Sequence, residues 1–104
     1  MARPRYKVIV AARAKAMLGA HIKFVARVSP DAAREVKTRL LAAIRSLADM
    51  PERFPFLDEE HIPKGKYHKM FVESRYLILY QIKDRTVYVD CIADCRQDYG
   101  WLIH

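Results

Sequence analysis

The chain is poor in cysteine and glycine, with two and three in 104 residues, and it holds no apolar run of membrane-spanning length. Without roughly 20 consecutive apolar residues there is no transmembrane helix, so no membrane is expected as a partner. Residues 1–5 are basic, but the apolar stretch at 8–12 is short and ends at Arg13. That is not a secretory signal. Two thiols, Cys91 and Cys95, make no disulfide scaffold and suit a reducing compartment, so a cytoplasmic location is expected. They stand four apart at a strand end with no second ligand pair nearby in sequence, which argues against zinc. Three glycines build no phosphate-cradling loop. No Ser/His/Asp arrangement suggests itself. Neither a metal nor a cofactor is expected.

What is present suffices for one core. The residues are 52% hydrophobic, too apolar for a disordered tail, and the length suits a single domain over 1–104. Charge is uneven. Residues 1–48 carry eleven Lys and Arg against only Asp31 and Glu35, residues 49–60 are acidic, and residues 61–104 are mildly basic. A basic half attracts polyanions or an acidic partner, although a solvated helix surface has the same composition.

Residues 6–10 (YKVIV) read as a short β-branched strand. From Arg13 the period changes: Met17, Leu18, His21, Phe24, Val25 and Val28 share one helical face. Ser29-Pro30-Asp31 restarts the chain as a second helix, with a capping hydroxyl, a proline suited to the first turn and an acid at the positive end of the dipole. That helix should run to about Asp49 with Ala33, Val36, Leu40, Ala43, Ile44 and Leu47 inward, stopped by Pro51. Residues 51–65 read as a loop whose Phe54, Phe56 and Leu57 return to the core. Three strands follow at 67–72, 76–82 and 87–93, joined by turns at Glu73-Ser74 and Lys83-Asp84-Arg85, so they pair antiparallel. The result is an α+β domain of order β-α-α-β-β-β, a helical hairpin packed on a small, largely antiparallel sheet.

Alternation sends Tyr76, Ile78, Tyr80 and Ile82 to the face under the helices and Leu77 and Leu79 to the other. With Met70 and Val72 beside them, the two leucines form an apolar open face. Water does not cover such a patch, so its occupant is the Trp101–Leu102–Ile103 tail, a partner, or both.

The element order, the strand RYLILYQI at 75–82, the strand VYVDCI at 87–92 and the ending Arg96-Gln97-Asp98-Tyr99 resemble the RelE/ParE superfamily, the toxins of type II toxin–antitoxin systems, often called plasmid stabilisation proteins. The resemblance runs from Tyr6 to Tyr99, and Tyr76, Tyr80 and the Arg-x-Asp-Tyr ending are its most specific parts. It implies a growth inhibitor neutralised by a cognate antitoxin. RelE-like members cut mRNA on the ribosome without a metal, acting as RNA-binding endoribonucleases; ParE-like members poison DNA gyrase. A non-toxic protein-binding module on the same fold is the remaining alternative. Positions that carry two lysines in RelE fall here on His68 and Met70, and two of its arginines fall on Leu77 and Gln97.

Metal-free RNA cleavage needs proton transfer near neutral pH and cations to meet phosphorane charge. His68 is the candidate acid or base, with Arg96 for phosphate and Tyr99 for base stacking. Lys66, Lys69 and Arg75 are the expected phosphate contacts, and Met70, Val72, Leu77 and Leu79 the expected antitoxin surface. The competing structural readings are an ordinary strand residue for His68 and an Arg96 pair with Asp94 or Asp98. His21, on the apolar helix face, reads as a core or interface residue.

Overall fold

The computed structural model describes residues 5–95. Strand β1 (Lys7–Val10) leads into helix α1 (Ala12–Ala26), helix α2 (Pro30–Ser46), a 3-10 turn (Pro51–Arg53) and strands β2 (His68–Val72), β3 (Tyr76–Lys83) and β4 (Thr86–Asp94). The spatial order is β1-β4-β3-β2. β2, β3 and β4 form an antiparallel meander, and β1 returns parallel to β4, opposite residues 86–89. Among the described residues no helix is long and apolar enough to cross a membrane.

Local chemistry accounts for the starts and turns. Ser29 Oγ accepts from the Ala32 amide at 3.1 Å, and Pro30 opens α2 where no amide is required. Asp84 and Arg85 both take positive φ, which gives a two-residue turn whose twist matches the strands it joins. The β2–β3 turn behaves differently. Glu73 and Ser74 also have positive φ, but the ladder pairs Val72 with Tyr76 rather than Arg75. Because strand faces alternate with period two, that single step turns over the whole of β2.

The first core layer lies between sheet and helices. Tyr76, Ile78, Tyr80, Val87, Val89 and Ile92 pack against Ala14, Leu40, Ile44 and Leu47. Met70 and Val72 belong to this layer, which corrects their expected place on the opposite face. β1 covers β4 only to Val89, and α1 lies along the rest of that edge. There His21 donates Nε2–H to the Ile92 carbonyl at 2.6 Å, an otherwise orphaned edge acceptor. Carbonyl acceptance fixes the Nε2-protonated tautomer.

Phe24 is 43% exposed and Val28, in the interhelical turn, 87%. Both were expected on the apolar helix face with His21. Phe24 instead follows Ala12, Ala16 and Ala20, all exposed, on the outward side of α1, while His21 and Ala14 are buried.

A second, smaller layer closes the other face. Leu57 packs on Leu77, Leu79, Cys91 and Ala93, with Ile62, Tyr67 and Cys95 at its margin. The segment carrying Leu57 is held in strand-like fashion beside β2: Leu57 N–H donates to Tyr67 O at 2.7 Å, and Lys69 N–H to Pro55 O at 2.9 Å. On the helix side Tyr80 OH donates to Pro51 O at 2.6 Å, and His68 Nδ1–H to Phe54 O at 2.7 Å. The rings of Phe56, His68 and Tyr80 follow one another at 4.2 and 5.2 Å. Phe54 and Leu57 return to the core as expected; Phe56 stays half-exposed at the edge of this stack.

Burial pushes the Tyr80 phenol up to about 12, against about 10 for an unfolded tyrosine. A raised acid favours the folded state while it stays neutral. Its contribution is complete below about pH 10 and is lost as pH rises through 12. Tyr80→Phe should destabilise the protein by about 1–2 kcal/mol at neutral pH, because the Pro51 carbonyl loses its donor. It should also flatten the alkaline fall in stability, as measured by urea unfolding between pH 7 and 12.

Candidate functional site

Of the expected reaction centre, His68 lies among the described residues, and it is not on an exposed surface. His68 alternates with Lys69, and the observed register turns it toward Tyr80 and the helix-side layer, where it is only 8% exposed. Its Nδ1–H is engaged by Phe54 O and its ring is sandwiched between Phe56 and Tyr80. A general acid must reach the proton it transfers; this imidazole faces protein. The expectation of an exposed His68 is corrected. Arg96 and Tyr99, with the 101–103 tail, lie outside the described residues.

The cations are dispersed. Lys66 is exposed, its ammonium 5.2 Å from the Tyr67 ring centre. Lys69 projects from β2 opposite Leu79. Arg75 points elsewhere: its Nη2 and Nε donate to Asp94 Oδ2 at 3.1 and 3.3 Å. Asp94 is 1% exposed, so the guanidinium neutralises a buried carboxylate. That hydrogen bond raises the Arg75 pKa further, against a smaller opposing effect of burial.

Nor is there an open apolar face of the kind expected. Leu77 and Leu79 are 0% and 2% exposed beneath Leu57 and its neighbours. Beyond that cover the outward face is polar. Asp90 is the extra residue of a β-bulge opposite Leu79 and Tyr80. It accepts from Gln81 Nε2 at 2.6 Å and from the Tyr67 hydroxyl. Burial, then the Asp90 charge and hydrogen bond, raise the Tyr67 pKa, and Arg13 opposes them. Gln81, Lys83, Tyr88 and Asp90 line a shallow cleft of about 300 Å³. A bulge re-aims a side chain, and no sequence signal marked Asp90 as the residue inserted.

A second cleft, of about 210 Å³, lies between α2 and the β2–β3 turn, floored by Val36, Leu40, Val72 and Tyr76. Its rim is closed by Arg39 Nη1 donating to Glu73 Oε1 at 2.8 Å. Burial pushes the Cys95 thiol up, with Asp94 adding to it, so it is a poor nucleophile. No cluster of three metal-ligating side chains occurs among the described residues. Near the clefts Arg39 pairs with Glu73, Arg34 with Asp31, and Gln81 with Asp90.

Comparison with known proteins agrees with this architecture. A family model described as the ParE toxin of type II toxin–antitoxin systems, parDE, matches residues 8–99. A solved structure of the chromosomal ParDE toxin–antitoxin system from P. aeruginosa is similar in fold, with a TM-score of 0.72 at 13% identity. The match covers 88% of this chain and 98% of that one. No curated protein matches the chain.

Two of the three expected phosphate contacts should separate on substitution. Arg75→Ala removes a guanidinium that pairs with a buried carboxylate and should lower stability by about 2–3 kcal/mol. Lys69→Ala should stay within about 0.5 kcal/mol of wild type. Denaturant unfolding of the two variants measures both.

Proposed function

The chain belongs to the ParE toxin family of type II toxin–antitoxin systems, and on that premise we propose that it inhibits growth by binding and poisoning DNA gyrase in the cytoplasm, silenced by a cognate antitoxin. The burial of His68 carries the choice between the two toxin chemistries. Ribosome-dependent mRNA cleavage needs a titratable group that meets the 2′-hydroxyl or the leaving oxygen. On β2 that group is packed between Phe56 and Tyr80, and Arg75 is committed to Asp94. A gyrase poison needs no proton-transfer group of its own, only a surface that grips an enzyme–DNA complex. The basic charge of the chain supports a target that includes DNA.

Inducing the protein alone in a bacterium should arrest growth with filamentation and a DNA-damage response, and co-expression of the antitoxin should restore growth. Purified gyrase with the protein should accumulate cleaved DNA. Rapid loss of translation with cuts in ribosome-bound mRNA would overturn the gyrase assignment in favour of a ribonuclease. Unimpeded growth with folded protein present would favour a binding module on this fold.

A further inference from the structure

The outward face of the sheet has a second end, away from the Leu57 cover. Register places Lys7, Thr86 and Lys83 in one row across β1, β4 and β3, and Ile9, Tyr88 and Gln81 in the next. Val8, Val10, Val87 and Val89 belong to the helix-side layer, so alternation turns both rows outward. Asp90, the bulged residue, follows Tyr88 along β4, and Gln81, Lys83, Tyr88 and Asp90 line the one cleft of about 300 Å³.

Three chemistries follow one another along this cleft. Lys7 and Lys83 are exposed and form no ion pair among the described residues. Their backbones stand two strand spacings apart, about 10 Å, so both ammonium groups reach one anion above the Thr86 hydroxyl. Tyr88 is half-buried between Ile9 and Gln81 and makes no hydrogen bond or ring contact among the described residues. Its ring is a stacking surface for a flat ligand. Beyond it, Gln81 Nε2 and the Tyr67 hydroxyl hold the Asp90 carboxylate in place. An ionised carboxylate only accepts, so its remaining lone pairs call for a donor.

We propose that this cleft binds a nucleotide whose base carries an exocyclic amino group, with phosphate at Lys7 and Lys83, the base on Tyr88 and the amino group at Asp90. Thr86 to Asp90 is at most about 13 Å of extended strand, a span one nucleotide covers once the lysine side chains lean along it. Cytosine suits the far end, because its amino group donates to a carboxylate. An acidic peptide would answer the lysines but oppose Asp90. Duplex DNA would keep its base faces stacked on one another and leave Tyr88 unused. The site uses none of His68, Lys66, Lys69 or Arg75, performs no proton transfer, and stands independently of the gyrase reading.

The test is calorimetry of the full chain with dCMP, dTMP, and single-stranded oligodeoxycytidine and oligodeoxythymidine, with thermal midpoints checking that each variant is folded. Cytosine ligands should bind about tenfold more tightly than thymine ligands. Tyr88→Ala should weaken binding about tenfold, and Tyr88→Phe, which keeps the ring, should bind as wild type. Lys7→Gln combined with Lys83→Gln should weaken every ligand and flatten the salt dependence. Asp90→Asn should bring the cytosine and thymine affinities together, whereas a purely structural Asp90 would leave their ratio unchanged. Saturation by dCMP assigns the site to a free nucleotide; binding of oligodeoxycytidine without binding of dCMP assigns it to a nucleotide within a strand. Equal affinity for cytosine and thymine ligands, with Tyr88→Ala binding as wild type, would leave only charge attraction and overturn the proposal. Absence of binding to all four ligands would overturn it as well.

Discussion

The attachment of residues 51–57 to the sheet decides which surfaces this protein has. Two side chains of the helix-side layer make that attachment: Tyr80 donates to Pro51 O, and His68 donates to Phe54 O. Pro51 and Phe54 thereby enter the fold as fixed acceptors, and the chain continues beside β2 to deliver Leu57 onto the opposite face. One histidine on one side of the sheet thus helps close the other. Both faces of β3 are dry as a result, and its five residues from Tyr76 to Tyr80 are all buried.

The same contacts redirect the functional question. A half-open sheet would offer either a catalytic platform or an apolar groove. Here Leu57 covers Leu77 and Leu79, and His68 packs toward Tyr80, so the described residues present neither at those positions. On α1 the side turned away from the core leaves Phe24 outside, and Val28 lies exposed in the interhelical turn. Among the described residues the outward face carries a polar cleft around the Asp90 bulge.

Much of the architecture was legible because its signals are local. Ser29-Pro30-Asp31 starts a helix by hydrogen bonding and fixed φ, and alternation in 76–82 assigned the faces of β3 correctly. β2 was misread because its face depends on one residue of register at the Glu73-Ser74 turn. A two-residue turn would have placed Met70 and Val72 with Leu77 and Leu79; the observed pairing of Val72 with Tyr76 reverses them. His68 was carried inward by the same step. Composition could not show that a loop with three prolines would serve as a lid, since that depends on the non-local hydrogen bonds of Pro51, Phe54 and Leu57. The family was legible from strand text and element order, and its toxin chemistry was not, because that rests on the exposure of single side chains.

The central claim is that residues 54–57 are part of the folded core and not a movable flap. Native-state hydrogen exchange read by NMR tests it at two amides, Leu57 and Lys69, which donate to Tyr67 O and Pro55 O. Protection of both at a level close to that of Ile78 and Val89, at the centre of the sheet, is the predicted result. Exchange at the rate of an exposed loop, with β3 still protected, would contradict the account: Leu77 and Leu79 would then be open to a partner after all.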